Sequence, residues 1–163
     1  GFHASIIYIL TYMLMSLGIW SVISCLENYD TSKRTRTMTD LAMISKSNPL
    51  LSFSSAILLF SMAGVPPLAG FYAKFCVFLS SINASMYICS ILIILASVVS
   101  TYYYIRLIKT VYFEKITGKV FYKPISKEIS LILGLSFFFT FFFFINPNFL
   151  WLVTYEMVLC VIQ

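Results

Sequence analysis

One basic residue, Lys74, lies inside a long apolar run, whereas the other ten lysines and arginines lie in or beside polar loops. The run covers residues 49–79 and contains the segment from Gly64 to Gly70, which reads GVPPLAG. An ammonium group at bilayer depth costs at least about 2.5–3.5 kcal/mol on insertion scales. Because desolvation disfavours its charged form, such a lysine can take up and release protons near neutral pH. The sequence therefore predicts a proton-carrying lysine; the alternative is that Lys74 pairs with a carboxylate on a neighbouring helix and only holds the bundle together.

The two prolines beside this lysine predict a break in the helix that carries it. Pro66 and Pro67 have no backbone N–H, so the carbonyls of Met62 and Ala63 lose the donors that a continuous helix would supply. The residue before the first proline is also pushed away from helical geometry. Irregular backbone survives at membrane depth only where protein surrounds it or water fills a cavity, and transporters build ion sites at such breaks. We therefore expect an irregular segment over residues 64–69.

Other residues that can carry protons give weaker signals. His3, near the outer end of the first apolar run, is a candidate for proton exit or an interfacial histidine. Glu156 either pairs with a partner or is an interface charge, and Tyr102 to Tyr104 are interpreted as an aromatic belt at the membrane surface. Several hydroxyl side chains either pack helices together by bonding to the backbone or line a wet path: Thr11, Ser16, Ser54, Ser61, Ser97 and Thr101.

The composition of the chain is that of an integral membrane protein. Of the 163 residues, 60% are apolar and 10% are charged, which excludes an ordinary water-soluble domain. The net charge of +5 does not indicate nucleic-acid binding, because the basic residues lie in short loops between apolar runs. Four cysteines without a C-x-x-C pair, and one histidine, indicate neither a zinc site nor a disulfide framework. The sequence also lacks a phosphate loop and a catalytic triad, so no self-contained enzyme and no resident cofactor are predicted.

The apolar runs predict an all-α membrane protein with four transmembrane helices, the second of them discontinuous at the Gly-x-Pro-Pro break. A straight helix over the 31 residues of the second run would be about 46 Å long, well beyond a hydrocarbon core of about 30 Å, so this run is interpreted as two half-helices in one crossing. We expect a single membrane domain over residues 1–163, with spans at about 2–26, 49–79 (broken at 64–69), 86–108 and 129–145, and an interfacial tail at 149–163.

Loop charge predicts the orientation of these spans. The polar loops at 27–48 and 109–128, with their flanks, carry ten of the eleven lysines and arginines, and the turn at 80–85 carries none. Because short basic loops stay on the cytoplasmic or matrix side, both termini are expected on the opposite face.

Residues 61–75, SMAGVPPLAGFYAKF, resemble the S-L-A-G-[IV]-P-P-L-A-G-F-x-x-K-[FL] segment of the NADH dehydrogenase subunit 2 family, the smallest antiporter-like subunits of respiratory complex I. The resemblance continues at residues 103–109, in the first span around residues 7–8 and 15–18, and in the tail from residue 122. The sister subunit 4 usually has glutamate at the position of Lys74, and subunit 5 has long C-terminal extensions. The resemblance therefore favours subunit 2, and the chain corresponds to its C-terminal part.

This resemblance implies a membrane-arm subunit of NADH:ubiquinone oxidoreductase in the mitochondrial inner membrane, contributing to proton translocation coupled to NADH oxidation and quinone reduction. Lys74 would lie on the discontinuous twelfth of fourteen helices and serve the outer half-channel. The basic loops would face the matrix and both termini the intermembrane space. Flavin, iron–sulfur clusters and ubiquinone would belong to partner subunits, because this chain offers no redox centre.

The chain also departs from the family, because the first antiporter repeat, with its membrane glutamate and lysines, has no counterpart in these residues. Either a separate chain supplies those N-terminal helices or they have been lost. The expected partners are that chain, the other membrane and accessory subunits of complex I, and lipids. Two alternatives stay open: a structural remnant that keeps the membrane arm continuous without pumping, and a subunit of a multi-subunit cation/proton antiporter.

Overall fold

The computed structural model of the chain describes residues 2–25, 45, 48–113, 126–143 and 152. Over these residues the chain is helical, with no strand, and the predicted all-α class is confirmed. The described helices are α1 (Phe2–Ser24), α2 (Pro49–Ala63), α3 (Ala69–Asn83), α4 (Tyr87–Phe113) and α5 (Lys127–Phe142). Glu156, and the predicted tail apart from Leu152, lie outside the described residues, as do most residues of the two basic loops.

The lengths of these helices differ in relation to a bilayer. Both α1, with 23 residues, and α4, with 27, are long and apolar enough to cross a membrane. At 1.5 Å per residue they are about 35 and about 40 Å long. By contrast, α2 and α3, with 15 residues each, and α5, with 16, are about 23–24 Å long, too short to cross a core of about 30 Å singly.

Two helix ends lie beyond the predicted ends of the apolar runs. The helix α3 continues to Asn83, through residues that were expected to form the turn at 80–85, and α4 continues past the predicted end at residue 108. The polar residues ending α3 stay helical because the turn itself satisfies the last carbonyls: the N–H of Ser85 donates to Ile82 at 2.8 Å and that of Met86 to Ser81 at 3.1 Å. Hydropathy locates an apolar segment, and a helix can extend beyond it.

The helices α2 and α3 lie between α1 on one side and α4 on the other. The helix α1 packs against α2, α3 and α5, and α4 packs against α2 and α3. Buried residues on α1 are spaced by three or four positions, which places them on one face: Ile7, Thr11, Met15, Gly18, Ser21 and Val22. The site described below therefore lies where the ends of α2 and α3 meet between α1 and α4, and the two prolines of the α2–α3 connection are themselves exposed.

Two glycines set how closely these helices approach. A Cβ added at Gly18 would lie 2.8 Å from Cδ1 of Leu58 on α2 and 2.9 Å from Cβ of Ser136 on α5. A Cβ added at Gly70 would collide with the backbone carbonyl oxygen of Ser61. A flexible leucine can move aside, but a helical carbonyl cannot, so Gly70 is the stricter requirement.

We expect Gly70→Ala to destabilise the fold by more than the roughly 1–3 kcal/mol typical of overpacking, because a methyl group there meets rigid backbone. Gly18→Ala should cost less. Gly134→Ala is the matched control, since no atom lies within 4 Å of its added Cβ and alanine favours the helix. The measurement is the midpoint of thermal unfolding in detergent, and equal midpoints for Gly70→Ala and Gly134→Ala would contradict the close approach.

Candidate functional site

The C-terminal end of α2 is closed by a left-handed glycine. Gly64 has φ 95°, and its N–H donates to the carbonyls of Phe60 and Ser61, each at 3.1 Å. The N–H of Val65 donates to Phe60 at 3.1 Å. This hydrogen-bond pattern is a Schellman motif, which requires the positive φ that glycine adopts without strain. It satisfies two of the last four carbonyls of α2, those of Phe60 and Ser61, and leaves the other two without a backbone donor.

The two remaining carbonyls belong to Met62 and Ala63, and they accept hydrogen bonds from Lys74. Nζ donates to the Met62 oxygen at 2.9 Å and to the Ala63 oxygen at 3.2 Å. In a continuous helix the N–H groups of residues 66 and 67 would have filled these positions, but both are proline. The ammonium group therefore takes the place of two missing backbone donors.

The environment of Lys74 contains opposing influences on its charge. The carboxyl end of α2 carries a partial negative charge that favours an ammonium group. The aliphatic part of the side chain passes over Gly64, where an added Cβ would lie 3.5 Å from Cδ and 3.6 Å from Nζ. Four apolar side chains border the same region: Phe71, Phe75, Phe78 and Ile93. This apolar surface favours the neutral amine.

The start of α3 is attached to α2 and α1 by one serine. The hydroxyl of Ser61, which is 0% exposed, accepts a hydrogen bond from the N–H of Gly70 at 3.1 Å. The same hydroxyl donates to the sulfur of Met15 at 3.0 Å. Because an N–H in the first turn of a helix has no helical acceptor, this bond satisfies a buried group and places Lys74 opposite the end of α2.

Among the six hydroxyl residues singled out in the sequence, two form contacts with another helix. Ser61 contacts Gly70 and Met15, and Thr101 on α4 has its Oγ1 2.8 Å from the Ala63 oxygen. The other four donate to carbonyls three or four residues earlier in their own helices: Thr11, Ser16, Ser54 and Ser97. The structure therefore shows these four bonded within their own helices, and Ser97 also lines the cavities beside Lys74.

Two cavities meet at Lys74. The first, of about 420 Å³, lies between α1, α3 and α4, and we call it the tyrosine cavity because Tyr8, Tyr12 and Tyr104 line it. The rings of Tyr8 and Tyr12 stack with centroids 6.1 Å apart. The hydroxyls of Ser97 and Ser100 add further polar lining.

The second cavity, of about 470 Å³, lies between the α2–α3 connection, α3 and α4, and we call it the break cavity. Its lining includes Gly64, Pro66 and Thr101, together with several phenylalanines. Lys74 and Ser97 line both cavities. The lysine thus stands between two spaces that are large enough to hold water.

His3 lies elsewhere. It lines a third cavity, of about 480 Å³, with Cys76, Ser80 and Asn83 of α3. Successive residues of an α-helix are rotated by about 100°, so these three α3 residues project from the face opposite Lys74. The structure therefore does not bring His3 and Lys74 to a common cavity.

The tyrosines of the first cavity were not predicted as site residues. Tyr8 and Tyr12 are four residues apart on one face of α1, a spacing visible in the sequence, but an apolar span gave no reason to single them out. Of the predicted belt, Tyr102 and Tyr103 are 64% and 58% exposed, whereas Tyr104 turns into the cavity. In the described part of the chain, no group of three or more His, Cys, Asp or Glu side chains can hold a metal ion.

Residues 1–100 match the family model described as NADH:quinone oxidoreductase/Mrp antiporter, TM. The match covers more than half of the chain. The chain belongs to this family of membrane proteins.

Relatives within the family support the resemblance to NADH dehydrogenase subunit 2. The chain is 38% identical over 160 residues to NADH-ubiquinone oxidoreductase chain 2 of Marchantia polymorpha, covering 98% of this chain and 32% of that protein. It is 42% identical over 136 residues to NADH-quinone oxidoreductase subunit N of Paramagnetospirillum magneticum, covering 83% and 27%. The predicted family is thereby confirmed, and the chain spans about a third of the length of these curated relatives.

The fold also matches a chain in the solved structure of respiratory complex I from Thermus thermophilus with bound Aureothin. The TM-score is 0.76 at 23% identity, and the match covers 91% of this chain and 33% of that chain. The likeness establishes the arrangement of the helices.

Restoring backbone donors at the break should displace the lysine. In Pro66→Ala/Pro67→Ala, two new N–H groups can bond to the carbonyls of Met62 and Ala63, so α2 should extend beyond Ala63 and Nζ of Lys74 should lose both acceptors. Electron cryomicroscopy of the assembled variant measures both effects. Pro49→Ala is the matched control, because a proline in the first turn of α2 lacks only an N–H that has no helical acceptor. An unchanged Lys74–Met62 distance in the double variant would contradict this account of the site.

Proposed function

We propose that the chain is a membrane-arm subunit of NADH:ubiquinone oxidoreductase and contributes to proton translocation coupled to NADH oxidation and quinone reduction. The observation that carries the proposal is the ammonium group of Lys74, bound at 2.9 and 3.2 Å to the last carbonyls of an interrupted helix and bordered by two cavities. The relatives that bear the names of NADH oxidoreductase subunits supply the reaction to which this site would be coupled.

The magnitudes of the competing interactions suit a group that gains and loses a proton. Placing a lysine at bilayer depth costs at least about 2.5–3.5 kcal/mol. Hydrogen bonds that involve a charged group contribute about 1.5–3 kcal/mol each, and Lys74 donates two to carbonyls. Because the two sums are similar, these hydrogen bonds offset the cost of burying the ammonium group, and the loss of either bond would favour the neutral amine. The proton would leave Nζ for water in an adjoining cavity and leave a neutral amine behind.

In the proposed topology the chain forms a single membrane domain with four crossings. The helices α1 and α4 would each make one, α5 would form part of another at the predicted span 129–145, and α2 and α3 would together make the discontinuous second crossing, each spanning about half of it. The short length of α2 and α3 and their interruption over residues 64–68 support this arrangement. Their carbonyl and N–H ends would then lie near the middle of the bilayer, beside Lys74.

The proposed location is the mitochondrial inner membrane, with the basic loops at 27–48 and 109–128 in the matrix and both termini on the intermembrane-space side. Loop charge supports this orientation. Other subunits of the complex would bear the flavin, the iron–sulfur clusters and the quinone site. His3 is retained as a candidate for proton exit through its own cavity, separate from the two at Lys74.

The alternative that Lys74 only holds the bundle together makes a different prediction about its charge. A structural ion pair needs a permanent cation, whereas a proton carrier must also lose its charge. In the described residues the ammonium bonds to carbonyl oxygens, which stabilise the charge without balancing it by a full negative charge. Substitution by arginine separates the two possibilities, because a guanidinium remains protonated in proteins.

We expect both Lys74→Met and Lys74→Arg to reduce the proton flux carried by this subunit by about 100-fold or more. A factor of about 100 is the lower end of the contribution that a proton-transfer group makes to a reaction rate. The measurement is the number of protons translocated per NADH oxidised, in membrane vesicles containing the assembled complex. Lys127→Met is the control, because Lys127 is exposed at the start of α5. Full translocation by Lys74→Met would refute the proposal, and full translocation by Lys74→Arg would favour the structural alternative.

The orientation can be measured by cysteine labelling. In a background with the four native cysteines replaced by serine, Ser85→Cys should react with a membrane-impermeant maleimide from the intermembrane-space side. Lys127→Cys should react only from the matrix side, because it lies in the second basic loop. Mitoplasts and inverted vesicles expose the two faces separately. The reverse labelling pattern would overturn the orientation without affecting the role of Lys74.

A further inference from the structure

The hydroxyl of Thr101 has one proton and two acceptors. Its Oγ1 lies 2.7 Å from the carbonyl oxygen of Ser97, in its own helix, and 2.8 Å from that of Ala63, at the end of α2. A threonine hydroxyl can donate to only one of them fully at any moment. Both distances are those of good hydrogen bonds, so a small rotation about χ1 or of the hydroxyl hydrogen exchanges one acceptor for the other.

The two acceptors differ in how many other hydrogen-bond donors they have. The Ser97 carbonyl lies within α4, where a helical N–H serves it, and the hydroxyl of Ser100 also donates to it at 2.9 Å. The Ala63 carbonyl has no helical N–H, because residue 67 is proline. Apart from Thr101, the donor that the structure gives it is Lys74, at 3.2 Å. If the lysine moved away, Thr101 would be the side chain that can still donate to the Ala63 carbonyl.

We propose that Thr101 is a positioning residue for Lys74: its hydroxyl donates to the Ala63 carbonyl when the lysine has released its proton, and returns to Ser97 when the ammonium group is bound again. This inference rests on the proposed function of Lys74 as a proton carrier. A neutral amine keeps two N–H groups but donates more weakly than an ammonium group, so the hydroxyl would keep the Ala63 carbonyl well bonded in the deprotonated state.

The titratable groups that face Lys74 come from two neighbouring helices. Tyr8 and Tyr12 of α1 and Tyr104 of α4 line the tyrosine cavity. On the described part of the chain, α2 and α5 add no titratable side chain to the lining of either cavity. Replacing Thr101 changes none of these groups, so a resulting change in the pH dependence reports on the Ala63 carbonyl.

The direction of the effect follows from the hydrogen bonds. In Thr101→Val the Ala63 carbonyl depends on Lys74 alone, so the protonated form is held more strongly and its release needs a higher pH. Loss of one hydrogen bond corresponds to a change of roughly three- to tenfold in the equilibrium constant. We therefore expect the pH profile of proton translocation per NADH oxidised to move upward by about 0.5–1 pH unit. Thr101→Ser retains the hydroxyl and should keep the wild-type profile.

The test measures this profile in vesicles containing the assembled complex, for the wild type, Thr101→Val, Thr101→Ser and Thr110→Val. Thr110→Val is the matched control, because the Thr110 hydroxyl donates within α4, to the carbonyl of Arg106 at 3.2 Å, and Thr110 lines neither cavity at Lys74. An upward shift confined to Thr101→Val supports the inference. A wild-type profile for Thr101→Val, or an equal shift in Thr101→Ser, overturns it. If Thr101→Val does not assemble, Thr101→Ala is measured with the same expectations.

A parallel measurement on Lys74→Met separates the two proposals. If that variant translocates protons fully, the proposed function fails and the role of Thr101 fails with it. If Lys74→Met is defective and Thr101→Val has the wild-type profile, only the role of Thr101 fails. The amount of assembled complex, measured on native gels, corrects each rate for a purely structural loss.

Discussion

The carbonyls of Met62 and Ala63 need hydrogen-bond donors, and the sequence around them cannot supply any from the backbone. A helix that ends in water can leave its last carbonyls to solvent, but this one ends inside the bundle, between α1 and α4. Lys74 and Thr101 provide the donors from two other helices, at 2.8–3.2 Å. The need of these two carbonyl oxygens for hydrogen-bond donors thus explains why an ammonium group is held at this position.

Several neighbouring residues follow from the same requirement. Gly64 closes α2 with a positive φ, so that the Schellman bonds satisfy the two preceding carbonyls and leave the last two for the lysine. Gly70 allows α3 to start in contact with the backbone of Ser61. The Ser61 hydroxyl then accepts the N–H of Gly70 and fixes the first turn of α3. Without these contacts, the ammonium group would not reach the end of α2.

The sequence predicts the local part of this site and not its long-range part. Two prolines four residues after Met62 and Ala63 are enough to predict that both carbonyls lose their donors, because helical hydrogen bonding is local. The bonds from Lys74, 11 and 12 residues further on, and from Thr101, 38 residues further on, depend on how helices pack. Hydropathy gave no register for α4 against α2, so Thr101 could only be grouped with other hydroxyl residues.

The lining of the tyrosine cavity also could not be predicted from the sequence. Tyr104 belongs to a run of three tyrosines, and a run of one residue type does not indicate which member faces inward. That depends on the rotation of α4, which places Tyr102 and Tyr103 outside and Tyr104 beside Lys74. His3 illustrates the reverse, since its position near a helix end was clear from the sequence, but the intervening face of α3 separates it from the lysine.

Under the proposed function, the near balance between desolvation and hydrogen bonding links the proton affinity of Lys74 to the position of α2 relative to α3. A change of one pH unit in proton affinity corresponds to about 1.4 kcal/mol, which is within the range of a single hydrogen bond to a charged group. Moving the end of α2 away from α3 by enough to break one of the two bonds would therefore lower the affinity of Lys74 for its proton. The connection over residues 64–68 carries no helical hydrogen bonds from α2 into α3, so the contacts between Gly70 and Ser61 limit how far the two helix ends can separate. A conformational change elsewhere in a larger assembly can act on the proton through this connection without any redox group near Lys74.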